Sequence, residues 1–303
     1  MPPDVTVVVA TKDRPSVIPR ALESIRGQGG VATETIVVDD GSSPSAASAL
    51  GEICEGLPDV RLLRLEDSRG PSAARNKGVV EARGRFVCTL DDDNEFCSGK
   101  LEAQVRALDG AGTSDAVSVT GVELVAEGRE PERSLPRLSG PTRLDAVRDP
   151  FAMLPARVFV HTYLLSTELL RRVGRYDEAL RWGEHTELFL RLRRVATFVG
   201  VDTIGTQVHR GTELRHASRD WHAKAEGIRR IMELHADDFR VSPSMRAEWL
   251  DVLGVTLLRE GRRAEATRAF ASAVAARPLR VSALRHFAGA ATRTERLLGG
   301  DRS

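Results

Sequence analysis

Residues 5–9 read VTVVV and residues 35–38 read TIVV, two runs of β-branched side chains with no polar face. A strand with one wet face alternates apolar and polar residues. An unbroken run needs cover on both faces, which is the environment of a central strand in a parallel sheet. Between the two runs, Pro15 opens a segment over 16–26 in which Val17, Ile18, Ala21, Leu22 and Ile25 recur at helical spacing. The alternation continues. Helices are predicted over 45–56, 72–82 and 101–108, and strands over 60–65, 85–90 and 116–125. Strands that alternate with helices in this way predict an α/β class fold, a mostly parallel sheet with helices on both faces.

Such sheets bind ligands outside the carboxyl ends of their strands. Three of these ends are polar: Ala10-Thr11-Lys12-Asp13-Arg14, Asp39-Asp40-Gly41-Ser42, and Asp91-Asp92-Asp93 in LDDDNEF. Asp-Gly-Ser after a strand is also an ordinary turn sequence, since Asp and Ser cap and Gly accepts positive φ. One aspartate would be enough to cap a helix, so three in a row, converging with two more across the sheet edge, call for a cation or a ligand rich in hydrogen-bond donors. Oxygen ligands suit Mg2+ or Mn2+, which take one or two carboxylates and keep water or phosphate oxygens in the remaining positions. In an extended segment the period of two would turn Asp91 and Asp93 to one side and Asp92 to the other.

Four stretches, in order, are similar to family 2 glycosyltransferases of the GT-A fold: VTVVVATKDRPSVIPRALESI (5–25), ETIVVDDGSS (34–43), GPSAARNKGVVEARGRFVCTLDDDNEF (70–96) and VGRYDEALRWGEHTELFLRL (173–192). The resemblance covers roughly residues 4–212 and implies a Rossmann-like sheet that binds a nucleotide diphosphate sugar, with UDP favoured over GDP and dTDP. It implies that Ala10 and Thr11, in one loop with Asp13 and Arg14, contact the nucleoside. Asp40, with Asp39, would meet the base, and Arg75 the base or the phosphates. Asp91 or Asp92 would bind ribose. Asp93 would hold Mn2+ or Mg2+, with Asp91 and His209 as further ligand candidates. The acceptor hydroxyl would belong to a saccharide, a lipid-linked substrate or a small molecule.

Many relatives carry two adjacent acids where this chain has Trp182-Gly183-Glu184-His185-Thr186-Glu187. Glu184 fills the first acidic position and His185 replaces the second. Inverting transfer needs one group that takes the acceptor's proton as its oxygen attacks the anomeric carbon. Glu184 is the first choice, with His185 as the competing group. Trp182 and Glu187 are candidates for acceptor binding. Each also has a simpler explanation, since acids favour the first turn of a helix over 184–194 and a tryptophan packs in cores.

From about residue 220 strand signals cease, and 221–235, 244–260, 264–275 and 282–298 read as helices, with Gly261 closing the second. LLREGRRAEATRAFASAVAARP resembles a tetratricopeptide-type hairpin, with alanines where two helices cross and a closing Pro278. The expected domains are therefore a catalytic domain over 1–217 and a helical one over 218–303. Residues 240–303 carry 12 arginines against six acidic residues, whereas the whole chain is nearly neutral at +1. The near-neutral total argues against nucleic acid as a partner. The basic helical end could meet a membrane surface or a protein, or simply be solvated, and a homodimer is an open expectation. Three cysteines form neither a disulfide framework nor a zinc spacing, and no apolar run approaches the ~18 residues of a membrane span, so the expected location is the cytoplasm or its membrane face. A non-catalytic nucleotide-sugar-binding scaffold remains the alternative to an enzyme. A nucleotidyltransferase is disfavoured because ATKDRPSVI lacks a glycine-rich phosphate loop.

Overall fold

The computed structural model describes residues 2–138, 140–145, 151, 160–210, 220–278, 286 and 288. The chain divides into two compact units, Met1–Ala179 with Glu184–Leu214, and Leu180–Gly183 with Arg215–Ser303.

In the first unit the β-branched runs form central strands. β1 (Val5–Thr11) lies between β2 (Thr33–Asp40) and β4 (Phe86–Asp91), and β3 (Val60–Leu65) flanks β2. All four run parallel. Beyond β4 come β9 (Tyr163–Ser166), β6 (Ala116–Ala126), β10 (Thr197–Arg210) and β5 (Glu95–Phe96). β9 is antiparallel to both its neighbours, and β6 and β10 are parallel to each other. β7 (Glu132–Ser134) pairs with β6, and β8 (Thr142–Arg143) with β10. The register places Thr11 opposite Asp39 and Ala10 opposite Asp91, so the polar strand ends meet at one edge as expected.

Helices cover both faces. Val5, Val7 and Val9 pack with Ile18, Leu22 and Ile25 of α1 (Ile18–Arg26) and with Leu101 and Leu108 of α4 (Lys100–Asp109). Val8 points the other way, toward α3 (Pro71–Glu81). The predicted strands and helices lie within two residues of the observed ones, α2 (Pro44–Glu55) included. β9 and β10 were not predicted. β9 is only four residues long. β10 carries Gly200, Gly205 and Asp202 in its sequence and two register shifts, between Val201 and Ile204 and between Ile204 and Thr206.

In the second unit, α7 (Trp221–Leu234), α8 (Ala236–Val241), α9 (Pro243–Arg259) and α10 (Arg263–Ala276) are joined by short turns. Ala225, Ile228, Leu253, Leu257, Ala266, Ala269 and Phe270 form its core. Asp220 and Ser242 cap α7 and α9 by accepting from Ala223 N and Met245 N. The helix expected over 282–298 and the expected boundary at 217/218 lie outside the described residues, apart from positions 286 and 288.

Close contact between α3 and β1 depends on Gly78, where a Cβ would stand 2.3 Å from Val8 Cγ1. Gly51, inside α2, has nothing within 4 Å of such a Cβ. Gly78→Ala is expected to lower stability by ~1–3 kcal/mol through overpacking, and Gly51→Ala to raise it by ~0.5–1 kcal/mol through helix propensity. Equal urea midpoints for the two variants would refute the close-packing account.

Candidate active site

The triple aspartate does not continue as a strand. β4 ends at Asp91, and Asn94 N donates to Asp91 O at 3.1 Å, closing a turn. The turn corrects the expected side-chain sorting. Asp91 faces away from its neighbours, whereas Asp92 and Asp93 share one partner. Arg14 places Nη1 2.9 Å from Asp92 Oδ1 and Nη2 2.6 Å from Asp93 Oδ2. Thr11 Oγ1 donates to Asp92 Oδ2 at 2.7 Å. Burial pushes the Asp92 carboxyl up to about 6, against the pull of Arg14 and Thr11.

Asp91 belongs to a second cluster. Arg75, buried on α3, donates through Nη2 to Asp91 Oδ1 and through Nη1 to Glu184 Oε1, both at 2.8 Å. It thereby joins the end of β4 to the start of α6 (Glu184–Val195). His161, buried just before β9, lies with Nδ1 3.8 Å from Asp91 Oδ2. His185 Nε2 is 3.2 Å from Glu184 Oε1, and its ring meets Tyr176 edge-on at 5.7 Å. Asn76 fixes Tyr176 by donating to its carbonyl and accepting from its N–H, both at 2.9 Å.

The charges in this cluster move one another's pKa values. Burial opposes ionisation of Asp91, but Arg75 outweighs it and holds the carboxyl well below the usual range. Burial likewise opposes Glu184, and His185 and Arg75 more than reverse it; the guanidinium effect persists when His185 is neutral. Burial lowers both His161 and His185 to about 4. At neutral pH the cluster holds one guanidinium, two carboxylates and two neutral imidazoles.

The other candidates are spread along the same edge. Asp40 accepts from Arg69 N at 2.8 Å, Gly70 N at 2.9 Å and Ser68 Oγ at 3.0 Å, so it organises the loop that leads into α3. Asp39 accepts from Ser42 N at 2.9 Å. Asp13 adopts φ 54° and accepts from Ser43 N at 2.7 Å, tying the loop after β1 to the loop after β2. Ala10 and Thr11 end β1 between these loops and Asp92. His209 Nε2 lies 2.7 Å from Glu95 Oε1, which also meets Arg20 Nε at 3.2 Å. Asp91, Asp93 and His209 thus face three different partners, and the described residues hold no group of three or more metal-ligating side chains. Glu187 is buried in an ion pair with Arg191, 2.6 Å from its Nη2. Trp182 belongs to the second unit, where its ring lies 5.2 Å from Lys224 Nζ.

Arg20, Glu95, His161 and Tyr176 also stand in these clusters and were not singled out from sequence. Arg20, Glu95 and Tyr176 lie within the stretches that resemble the family. His161 precedes the unpredicted β9 and carries no local signal.

The profile described as glycosyl transferase family 2 matches residues 6–160. The succinoglycan biosynthesis protein ExoO of Rhizobium meliloti is 34% identical over 193 residues, covering 60% of this chain and 53% of that protein. The pre-mycofactocin glycosyltransferase of Mycobacterium tuberculosis is 29% identical over 229 residues, covering 73% of this chain and 45% of its own length. The chain thus spans about half the length of these relatives. Among solved structures, S. aureus TarS 1-349 in complex with UDP-GlcNAc superposes with a TM-score of 0.64 at 18% identity, covering 97% of this chain and 89% of the other, which establishes a shared fold. With the profile spanning half of its residues, this chain belongs to glycosyl transferase family 2.

Proposed function

We propose that the protein transfers a sugar from a nucleotide diphosphate sugar, preferably a UDP-sugar, to an acceptor hydroxyl with inversion at the anomeric carbon. The observation that carries this reading is the buried Arg75 bridge, which holds Glu184 beside the strand-edge aspartates. Family membership, relatives named as glycosyltransferases and a structural neighbour solved with UDP-GlcNAc support the reaction class and the donor.

Glu184 is ionised at neutral pH and suited to accept a proton from the attacking hydroxyl. His185, neutral and in contact with Glu184, orients the carboxylate or the acceptor. Arg75 keeps Glu184 charged and places it. Asp40 and Asp13 shape the two loops that flank the nucleotide, and Thr11 fixes Asp92 for a ribose hydroxyl. Asp93 fits a divalent metal as a single hard-oxygen ligand, because Mg2+ and Mn2+ fill their remaining positions with water and phosphate oxygens. When bound, the ion would neutralise charge on the departing diphosphate. A non-catalytic scaffold would bind the same donor and release no nucleotide from it.

The metal assignment is checked by titration calorimetry. UDP-sugar binding should strengthen with Mn2+ in the wild type, and Asp93→Ala should remove that dependence without unfolding the protein. An unchanged metal dependence would refute Asp93 as ligand. Coupled assays of UDP release should show turnover, and NMR should show a β-linked product from an α-linked donor; a retained α linkage would exclude direct displacement.

With His185 pushed down to about 4 by burial, either base predicts a flat rate from pH ~5.5 to 8, so pH alone does not separate the two. Substitution does. Glu184→Gln should lower turnover by ~10²–10⁴ with donor affinity little changed, and His185→Asn should cost far less. Equal losses in the two variants would refute Glu184 as the sole base, and a larger loss in His185→Asn would move the base to His185.

The buried histidines also set an acid limb on stability. A histidine with a folded pKa below its unfolded value of ~6.5 contributes stability above that value, which is lost as pH falls through the folded pKa. His161 and His185, both at about 4, should each lower stability by ~2 kcal/mol between pH 7 and 5. His161→Asn should flatten the fall in urea midpoint over that window. An unaltered slope would mean that His161 is not buried in its neutral form.

A further inference from the structure

The second unit places two cations, Lys224 and Arg259, against the same indole ring. Lys224 Nζ lies 5.2 Å from the centre of the Trp182 ring and 5.5 Å from that of Trp221. Arg259 Cζ lies 4.6 Å from the Trp221 ring centre. Indole faces attract cations, which explains how the two side chains are held but not why two like charges share one ring. Among the described residues neither cation has a carboxylate partner. The nearest acid in sequence, Glu260, is taken by His222 at 2.7 Å and Arg262 at 3.2 Å. Glu226 is taken by Arg229 at 2.6 Å. Burial and the neighbouring Arg259 both disfavour the charged form of Lys224. The arrangement is built into the fold. At Gly227, one turn along α7 from Lys224, a Cβ would stand 2.4 Å from Trp182 O, so glycine is what lets Trp182 lie against the helix that carries Lys224.

We propose that Lys224 and Arg259, held on Trp182 and Trp221, form a binding site for a phosphate group. A pair of positive charges matches the roughly two negative charges of a phosphate monoester, and an anion placed there would relieve the repulsion between them.

Two of the three tryptophans are in this cluster, so intrinsic fluorescence of the full chain reports on it. The third, Trp249, packs on Phe239. Glucose 6-phosphate, with glucose as the neutral control, should give a saturable, salt-sensitive emission change. Lys224→Met and Arg259→Met keep the aliphatic stems and should each weaken it by about tenfold or more. Arg259 is exposed, so its substitution tests the site even where Lys224→Met impairs folding. Asp93→Ala should leave the response intact, which separates this site from the nucleotide site and a failure here from a failure of the transfer reaction. Vesicles of phosphatidylglycerol against phosphatidylcholine distinguish the sources: a response to soluble sugar phosphate alone assigns the phosphate to a saccharide, and one confined to anionic vesicles and lost in both variants assigns it to a lipid headgroup. Absence of any response, or responses in both methionine variants equal to wild type, would overturn the proposal.

Discussion

Arg75 is the interaction on which the site depends. It is a buried cation between two acids that are distant in sequence, Asp91 at the end of β4 and Glu184 at the start of α6. A buried guanidinium with one carboxylate removed is left under-compensated, at a cost of about 3–5 kcal/mol in comparable cases. The net gain from such a triad is small, so its value lies in geometry. Burial admits few arrangements in which all three charges are satisfied, and the adopted one fixes α6 against the carboxyl edge of the sheet. Asn76, one residue further along α3, reinforces it through paired hydrogen bonds to the Tyr176 backbone.

The same accounting explains how five aspartates coexist at one edge. Asp40 and Asp39 accept hydrogen bonds from backbone N–H groups of the loops they shape, and Asp39 Oδ2 also lies 3.6 Å from Arg64 Nη1. Asp91 is neutralised by Arg75, and Asp92 and Asp93 share Arg14. Each of the two arginines faces two carboxylates, Arg75 between Asp91 and Glu184 and Arg14 between Asp92 and Asp93. They differ in how burial acts: Asp92 is held up to about 6, while Asp91 is held well below the usual range.

Much of this was legible in the sequence, for physical reasons that can be named. Unbroken β-branched runs require two covered faces, which made β1 and β2 readable and gave the sheet's order of alternation. The convergence of strand-end acids followed from parallel topology alone. What failed was local geometry. The period of two assumed that Asp91–Asp93 stays extended, and one turn hydrogen bond from Asn94 N redistributed all three side chains. β9 and β10 escaped because short length and interior glycines weaken a strand signal that only the neighbouring strands complete. The resemblance singled out Arg14 and Arg75 as nucleotide contacts but not as partners of the acids, and Arg191 not at all, since which of 40 arginines meets which carboxylate is decided by long-range register.

Pre-paired carboxylates have a consequence for recognition. A ligand that approaches this edge exchanges partners; it does not fill vacant hydrogen bonds. Arg14 would surrender Asp93 to an arriving cation and become free to meet the phosphate charge that accompanies it, so one displacement could serve two new contacts. Donor and ion would then bind with positive coupling, each easing the exchange the other requires, because the differential interaction with the two states of Arg14 is shared between them. The Arg75 triad is different. Its single guanidinium bridges two buried carboxylates, its histidines are neutral at physiological pH, and pulling either carboxylate away would leave the cation under-compensated. Under the proposed function, the edge would combine an exchangeable pair, where ligand charge is accommodated, with a locked triad, where the geometry of proton transfer is kept.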